Sequence, residues 1–296
     1  MTSDEHMPPR PKPIAAAKTD PGLCRDWNED SVLAVVSPSG GDALLVVADG
    51  MGGLGDDGES LGRFASQLVT DVLCRELGDL LGLRDPEPVA ETASRDEAFS
   101  EEYVTEQFLL AFQAVNSVLH DHQPPAGMRF TSTVVWAFVQ ADRAFIANSA
   151  DCRAYHLRHG VQRLVTTNRP LGPREPSSSY VDLDYGAPLG TGCEIQVNRG
   201  CPSEAVVPNP DQMGLVHLNV WAQPLEAGDR LFLCSDGLWD VMDDDEIARH
   251  LSLARSPEQA VQRLIDEANA KGGPDNIGVA VCEMMVTPRA AQGPER

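Results

Sequence analysis

Apolar residues recur along this chain in two rhythms, and the switches between them mark out its elements. Ser31–Val36 and Leu44–Ala48 are short apolar runs joined by the turn residues Pro38-Ser39-Gly40-Gly41-Asp42, and together they predict a hairpin. Leu61, Phe64, Ala65, Leu68, Val69, Val72, Leu73 and Leu77 then recur three and four apart, the spacing of one helix face. Arg84–Ser100 reads as a loop, and Val104, Phe108, Phe112, Val115 and Leu119 mark a second helix from Glu101 to His120. Strand-length runs resume at Thr131–Val139, Ala144–Asn148, Arg153–Leu157 and Val161–Val165. Thr166–Gly228 is rich in Pro, Gly and Ser and has little periodicity, as a functional or mobile segment would. A buried strand follows at Leu231–Cys234, then a short helix at Asp243–Leu253. Another helix opens at Ser256-Pro257-Glu258-Gln259, with the residues of a capping box, and stops at Gly272-Gly273 before a last strand, Ile277–Met284. Strands, then helices, then strands predict layered α+β structure and not a βαβ repeat.

Composition narrows this picture. A chain of 296 residues is ample for one large domain or two small ones. Met1–Asp20 is polar and proline-rich, without the apolar centre of a signal peptide, and reads as a disordered tail. No run approaches the roughly 18 apolar residues of a membrane span, so a cytoplasmic protein with no membrane association is expected. The formal net charge of −22 argues against nucleic acid, which such a surface would repel. It suits cations and basic partner segments, or simply keeps the protein soluble. The seven cysteines are odd in number and form no C-x-x-C pair, which suits reduced thiols better than a disulfide or zinc framework.

The candidate chemistry lies where apolar runs end. Leu44–Ala48 delivers Asp49 to the glycine-rich Gly50-Met51-Gly52-Gly53. Alone, that stretch reads equally well as an Asp-Gly turn or as a carboxylate needing a counter-charge. Leu231–Cys234 repeats the pattern with Ser235-Asp236-Gly237, and Asp275 precedes the last strand. Asp151 lies between two strands, and an antiparallel hairpin would bring Glu29 and Asp30 near Asp49. Oxygen-only donors suit Mg²⁺ or Mn²⁺. Two such ions about 3.5–4 Å apart could share a carboxylate and activate water. Arg25 is a cation suited to phosphate. Metal ions, water and arginine together point to phosphate ester hydrolysis.

Six segments carry a resemblance. Arg25-Asp26-Trp27-Asn28-Glu29-Asp30, Ala48-Asp49-Gly50-Met51-Gly52-Gly53, Thr131-Ser132-Thr133, Asn148–Tyr155, Cys234–Asp240 and Gly273–Ile277 occur in the order seen in metal-dependent (type 2C, PPM) serine/threonine protein phosphatases. The similarity spans roughly residues 20–286, and the Asp-Gly-Met-Gly-Gly form resembles the bacterial branch. It implies a phosphatase domain over 21–287 with a divergent flap at 166–228, between tails at 1–20 and 288–296. The implied fold is a four-layer α-β-β-α sandwich of two antiparallel β-sheets flanked by helices. The implied cofactors are two Mn²⁺ or Mg²⁺ ions and a weaker third. Asp49 would bridge the pair, Gly50 would bind one ion through its carbonyl, and Asp236 and Asp275 would hold the other. Glu29 and Asp30 would act through metal-bound water, Asp151 would share the third site with Asp236, and Arg25 would bind phosphate. A metal-bridging water or hydroxide would attack phosphorus in line. The implied substrates are phosphoproteins made by a Ser/Thr kinase, and the chain is expected to be a monomer. The alternative is a pseudophosphatase that uses the same fold to bind a partner.

Several positions depart from the resemblance. Met51 stands where many eukaryotic members carry a histidine proposed as general acid. Ala150 and Cys152 replace a glycine and a serine around Asp151. Leu54-Gly55-Asp56-Asp57-Gly58-Glu59 lengthens the glycine–glutamate spacing, and Thr166-Thr167-Asn168-Arg169-Pro170 replaces the Thr-x-Asp-His-Ser of the flap.

Overall fold

Both rhythms become elements in the computed structural model, which describes residues 11–83, 98–123, 130–166 and 217–285, and the backbone of 196–199. Their order is β1 (Lys12–Asp20), β2 (Asp30–Val36), β3 (Asp42–Met51), α1 (Leu61–Glu76), α2 (Glu101–Asp121), β4 (Thr131–Gln140), β5 (Arg143–Ser149) and β6 (Arg153–Arg158). There follow β7 (Val161–Leu164), β8 (Gln196–Arg199), β9 (His217–Pro224), β10 (Arg230–Cys234), α3 (Asp236–Trp239), α4 (Asp244–Leu253), α5 (Pro257–Ala270) and β11 (Ile277–Met285). One sheet runs β1-β11-β10-β6-β7 and the other β2-β3-β4-β5-β9-β8.

The apolar run of β3 is continuous because both its faces are covered. Leu44, Val46 and Ala48 pack with Leu73 of α1 and Phe108 and Phe112 of α2. Ala43, Leu45 and Val47 face the opposite way, against Leu231, Leu233 and Ala280 of the other sheet. That sheet's outer face, with Phe232 and Val281, meets Ile247 of α4 and Leu264 and Ile265 of α5. The order is helices, sheet, sheet, helices, the expected four layers. Each Leu or Val enclosed this way stabilises by roughly 1.5–3 kcal/mol, so β3 is anchored on two sides and its last residues are held firmly.

Four local features differ from the sequence reading. Lys12–Asp20, read as part of a disordered tail, is an edge strand antiparallel to β11, with Lys12 opposite Met285 and Asp20 opposite Ile277. Its Pro, Lys and Ala residues carry little strand signal, but an edge tolerates proline and lysine, and Ala15 and Ala17 fit the core between the sheets. The aperiodic segment contains β9, paired with β5, and β8, which pairs with β9 in parallel, so the second sheet is not wholly antiparallel. Asp236–Trp239 forms a single helical turn, too short for periodicity to reveal. Ser256 caps α5 through Gln259 N–H, but the Gln259 side chain accepts from Arg255 N–H; the reciprocal capping box forms instead between Asp243 and Glu246. The expected tail at 288–296 and most of the flap, at 167–195 and 200–216, lie outside the described residues.

Candidate metal centre

Strand register brings the acids to one end of the sandwich. In the β2–β3 pair Asp30 lies directly opposite Asp49, as the hairpin reading expects. On the other side of β3, Thr133 of β4 stands opposite Asp49. In the second sheet Cys234 is opposite both Arg153 and Val279, so Asp236, Asp151 and Asp275 leave their strands at a common end. Asp30, Asp236, Asp151 and Asp275 all lie close enough to Asp49 for their charges to act on it.

Burial and mutual repulsion load these groups with protons when no cation is present. Burial foremost, then the charges of Asp236 and Asp275, raise the Asp30 pKa to about 8, against an opposing hydrogen bond from Ser235. Burial and the charges of Asp30, Asp236, Asp151 and Asp275 lift Asp49 well above the carboxylate range. Burial and the charges of Asp151, Asp275 and Asp240 raise Asp236 to about 7. Asp151 is also raised, mainly by burial. Asp30 Oδ1 and Asp151 Oδ1 are buried without a hydrogen-bond donor among the described residues.

Polar residues around the acids hold the segment from Arg25 to Asp30 in place. Asn276 accepts from Glu29 N–H at 2.8 Å and donates to the carbonyls of Pro21 and Trp27, both at 2.9 Å. Ser60, which caps α1, donates its hydroxyl to the Glu29 carboxylate. Glu29 in turn accepts from Gly50 N–H through its carbonyl at 3.0 Å. Only glycine fits position 50, because a Cβ there would collide with the carbonyl of Gly62 at the start of α1. Arg25 meets Asp275 at 2.7 Å, with its side chain half exposed. The residue expected to grip phosphate and an acid expected to hold an ion therefore touch each other.

This ordered set of acids coincides with a family match. Residues 25–271 fit the family model described as protein phosphatase 2C. The chain belongs to that family. It is 30% identical over 274 residues to the serine/threonine protein phosphatase PstP of Mycobacterium tuberculosis, covering 91% of this chain but 45% of that relative's length. It is 26% identical to the serine/threonine phosphatase stp of Listeria monocytogenes, covering 92% of this chain and 96% of that one. Among solved structures, the catalytic domain of PstP in complex with two manganese ions is similar with a TM-score of 0.61, at 26% identity over 93% of this chain and 99% of that one.

The candidate donors are of the kind that hard divalent ions such as Mn²⁺ take. They are carboxylates and a backbone carbonyl, with two buried carboxylate oxygens lacking donors. Among the described residues no three His, Cys, Asp or Glu side chains converge as the cage of one ion. The acids are grouped about Asp49 instead, which suits ions that take few protein oxygens and keep water in the remaining positions.

Two departures from the phosphatase 2C pattern have visible consequences. Ala150, where the family pattern has glycine, adopts φ +72°. A left-handed alanine costs roughly 1–2 kcal/mol, only partly offset by the greater unfolded-state freedom of glycine. Ala150→Gly is therefore expected to stabilise the chain by about 0.5–1 kcal/mol, read as a higher urea midpoint with unchanged slope. Cys152 is buried and its Sγ lies 3.1 Å from Thr133 Oγ1, beside Asp49 and Asp151. Cys24, Cys74, Cys152, Cys234 and Cys282 are all free thiols. Trp239 is partly buried against the core, with the Arg153 guanidinium 3.6 Å from its ring centroid.

Sequence reasoning missed Ser60, Thr133, Ser235 and Asn276 as supports of the acids. Each is a small polar residue whose partners lie far away along the chain, so local spacing carries no signal for it. No helix among the described residues is long and apolar enough to cross a membrane.

Proposed function

We propose that this chain is a protein phosphatase that hydrolyses phosphoserine and phosphothreonine with two divalent ions, Mn²⁺ or Mg²⁺. The observation that carries this reading is the meeting of Asp30, Asp49 and Asp236 from both sheets at one end of the sandwich, in a chain that matches the family over residues 25–271. When bound, the ions supply a water acidic enough to attack phosphorus near neutral pH and positive charge for the phosphoryl oxygens. Asp49 would be shared between the ions, Gly50 would offer its carbonyl to one, and Asp236 and Asp275 would hold the other. Glu29 and Asp30 would orient water held by the ions, and Asp151 with Asp236 would offer a weaker third position. Arg25 holds the phosphate, exchanging its contact with Asp275 for the substrate. Met51 has no titratable group, so it cannot protonate the leaving oxygen. The substrates are phosphoproteins made by a serine/threonine kinase, met by a monomer in the cytoplasm.

The direct test is hydrolysis of p-nitrophenyl phosphate and of a phosphothreonine peptide by the purified chain. Both activities are expected to vanish on chelation and return with Mn²⁺. Turnover that persists in excess chelator would exclude the metal-dependent reaction. Mn²⁺ binding with no turnover of either substrate would leave a partner-binding protein on the same fold.

A further inference from the structure

Ser235 is fully buried at the end of β10, immediately before Asp236. Its backbone N–H donates to the Gly278 carbonyl at 3.1 Å, and its Oγ accepts from Gly278 N–H at 2.8 Å. A hydroxyl has one proton. With Gly278 N–H donating to Oγ, that proton is directed to Asp30 Oδ2, at 2.6 Å, the other partner of Oγ among the described residues. The contact therefore has Ser235 Oγ as donor and Asp30 Oδ2 as acceptor. Gly278 also makes room for the carboxyl, since a Cβ there would lie 3.0 Å from Asp30 Oδ2 and 3.1 Å from Val47 Cγ1. One serine therefore ties the central strands of one sheet to a carboxylate of the other.

The other Asp30 oxygen shows what this arrangement achieves. Oδ1 is buried and has no donor among the described residues, and Asp49 stands directly opposite Asp30 across the hairpin. With Oδ2 engaged, the carboxyl cannot turn without breaking a short hydrogen bond in a site without bulk water. Outer partners of this kind orient the groups that meet an ion, and losing one commonly costs about 10–100-fold in metal affinity or rate.

We propose that Ser235 is a positioning residue for the reaction, orienting the Asp30 carboxyl so that Oδ1 remains available to the metal centre. The inference rests on the functional reading above, but it can be tested separately by titrating Mn²⁺ calorimetrically into wild type, Ser235→Ala, Asp30→Ala and the double variant. Ser235→Ala is expected to weaken Mn²⁺ binding by about tenfold and to lower kcat for p-nitrophenyl phosphate by about 10–100-fold, with little change in KM. With Asp30 already alanine, removing the Ser235 hydroxyl is expected to change Mn²⁺ affinity by less than about twofold, because the contact no longer exists. Ser235→Cys keeps a weak donor of similar shape and should fall between wild type and alanine in Mn²⁺ affinity. It also keeps the test decisive if the alanine variant folds poorly.

Mn²⁺ binding by Ser235→Ala equal to wild type would overturn the proposal. So would single-variant losses that multiply in the double variant, or a cysteine variant no better than alanine. Affinity is read without turnover. A wild type that binds Mn²⁺ and hydrolyses nothing would therefore refute the proposed function and leave this inference intact.

Discussion

Asp49→Asn is expected to lower Mn²⁺-dependent kcat/KM for p-nitrophenyl phosphate by about a thousandfold, a loss of about 4 kcal/mol in transition-state stabilisation. Asp49 is the acid that all the others surround, with Asp30 opposite it across the hairpin and Asp236 reaching it from the second sheet. Asparagine keeps the shape but removes the charge that two ions would share. The same change should raise the melting temperature of the metal-free chain near neutral pH, because burial foremost, and then the charges of Asp30, Asp236, Asp151 and Asp275, make an ionisable carboxyl costly at position 49. The stabilisation that Mn²⁺ gives wild type should be lost. Activity falling while metal-free stability rises separates a functional acid from a structural one. A variant with activity within tenfold of wild type would remove Asp49 from the proposed centre.

The second large effect is on stability. Without metal, Asp30 titrates at about 8 and Asp236 at about 7, with Asp49 and Asp151 also raised. Unfolded aspartates titrate near 3.9. Between these limits the folded chain holds more protons than the unfolded one, so metal-free stability must fall as pH rises from about 4 to about 8. Bound divalent ions replace those protons and offset the loss. The melting-temperature gain on adding Mn²⁺ should therefore increase steadily from pH 5 to pH 8. His250, whose pKa burial depresses, tilts stability the other way in both states. The difference between loaded and chelated protein cancels that contribution and isolates the acid cluster. A gain independent of pH across this range would mean that the acids are not the groups the ions neutralise.

The strengths of the two contacts at the acids also differ. The Arg25–Asp275 pair is part-exposed, and such pairs contribute little to stability. The Ser235–Asp30 contact is buried.

Much of this was already legible in the chain. The run Leu44–Ala48 had to be buried, Gly50 had to follow Asp49, and Cys234-Ser235-Asp236-Gly237 repeated the same grammar. Helix faces on α1 and α2 and the order of strands and helices pointed to layered α+β structure, because periodicity reports which residues leave water; the four-layer order came from the family resemblance. What sequence could not show was any property that depends on a distant partner. β1 is a strand because β11 offers it an edge, although its own residues are poor strand formers. β9 is held by β5 from within a segment with no rhythm of its own. The acids were recognisable singly, but their contact about Asp49 follows from cross-strand register and from the stacking of two sheets. The roles of Ser235 and Asn276 likewise depend on partners more than 200 residues away. The sequence by itself determined which side chains could carry the chemistry. Only the tertiary structure decided which oxygens are held and which remain open, because hydrogen-bond geometry is set across sheets and not along the chain.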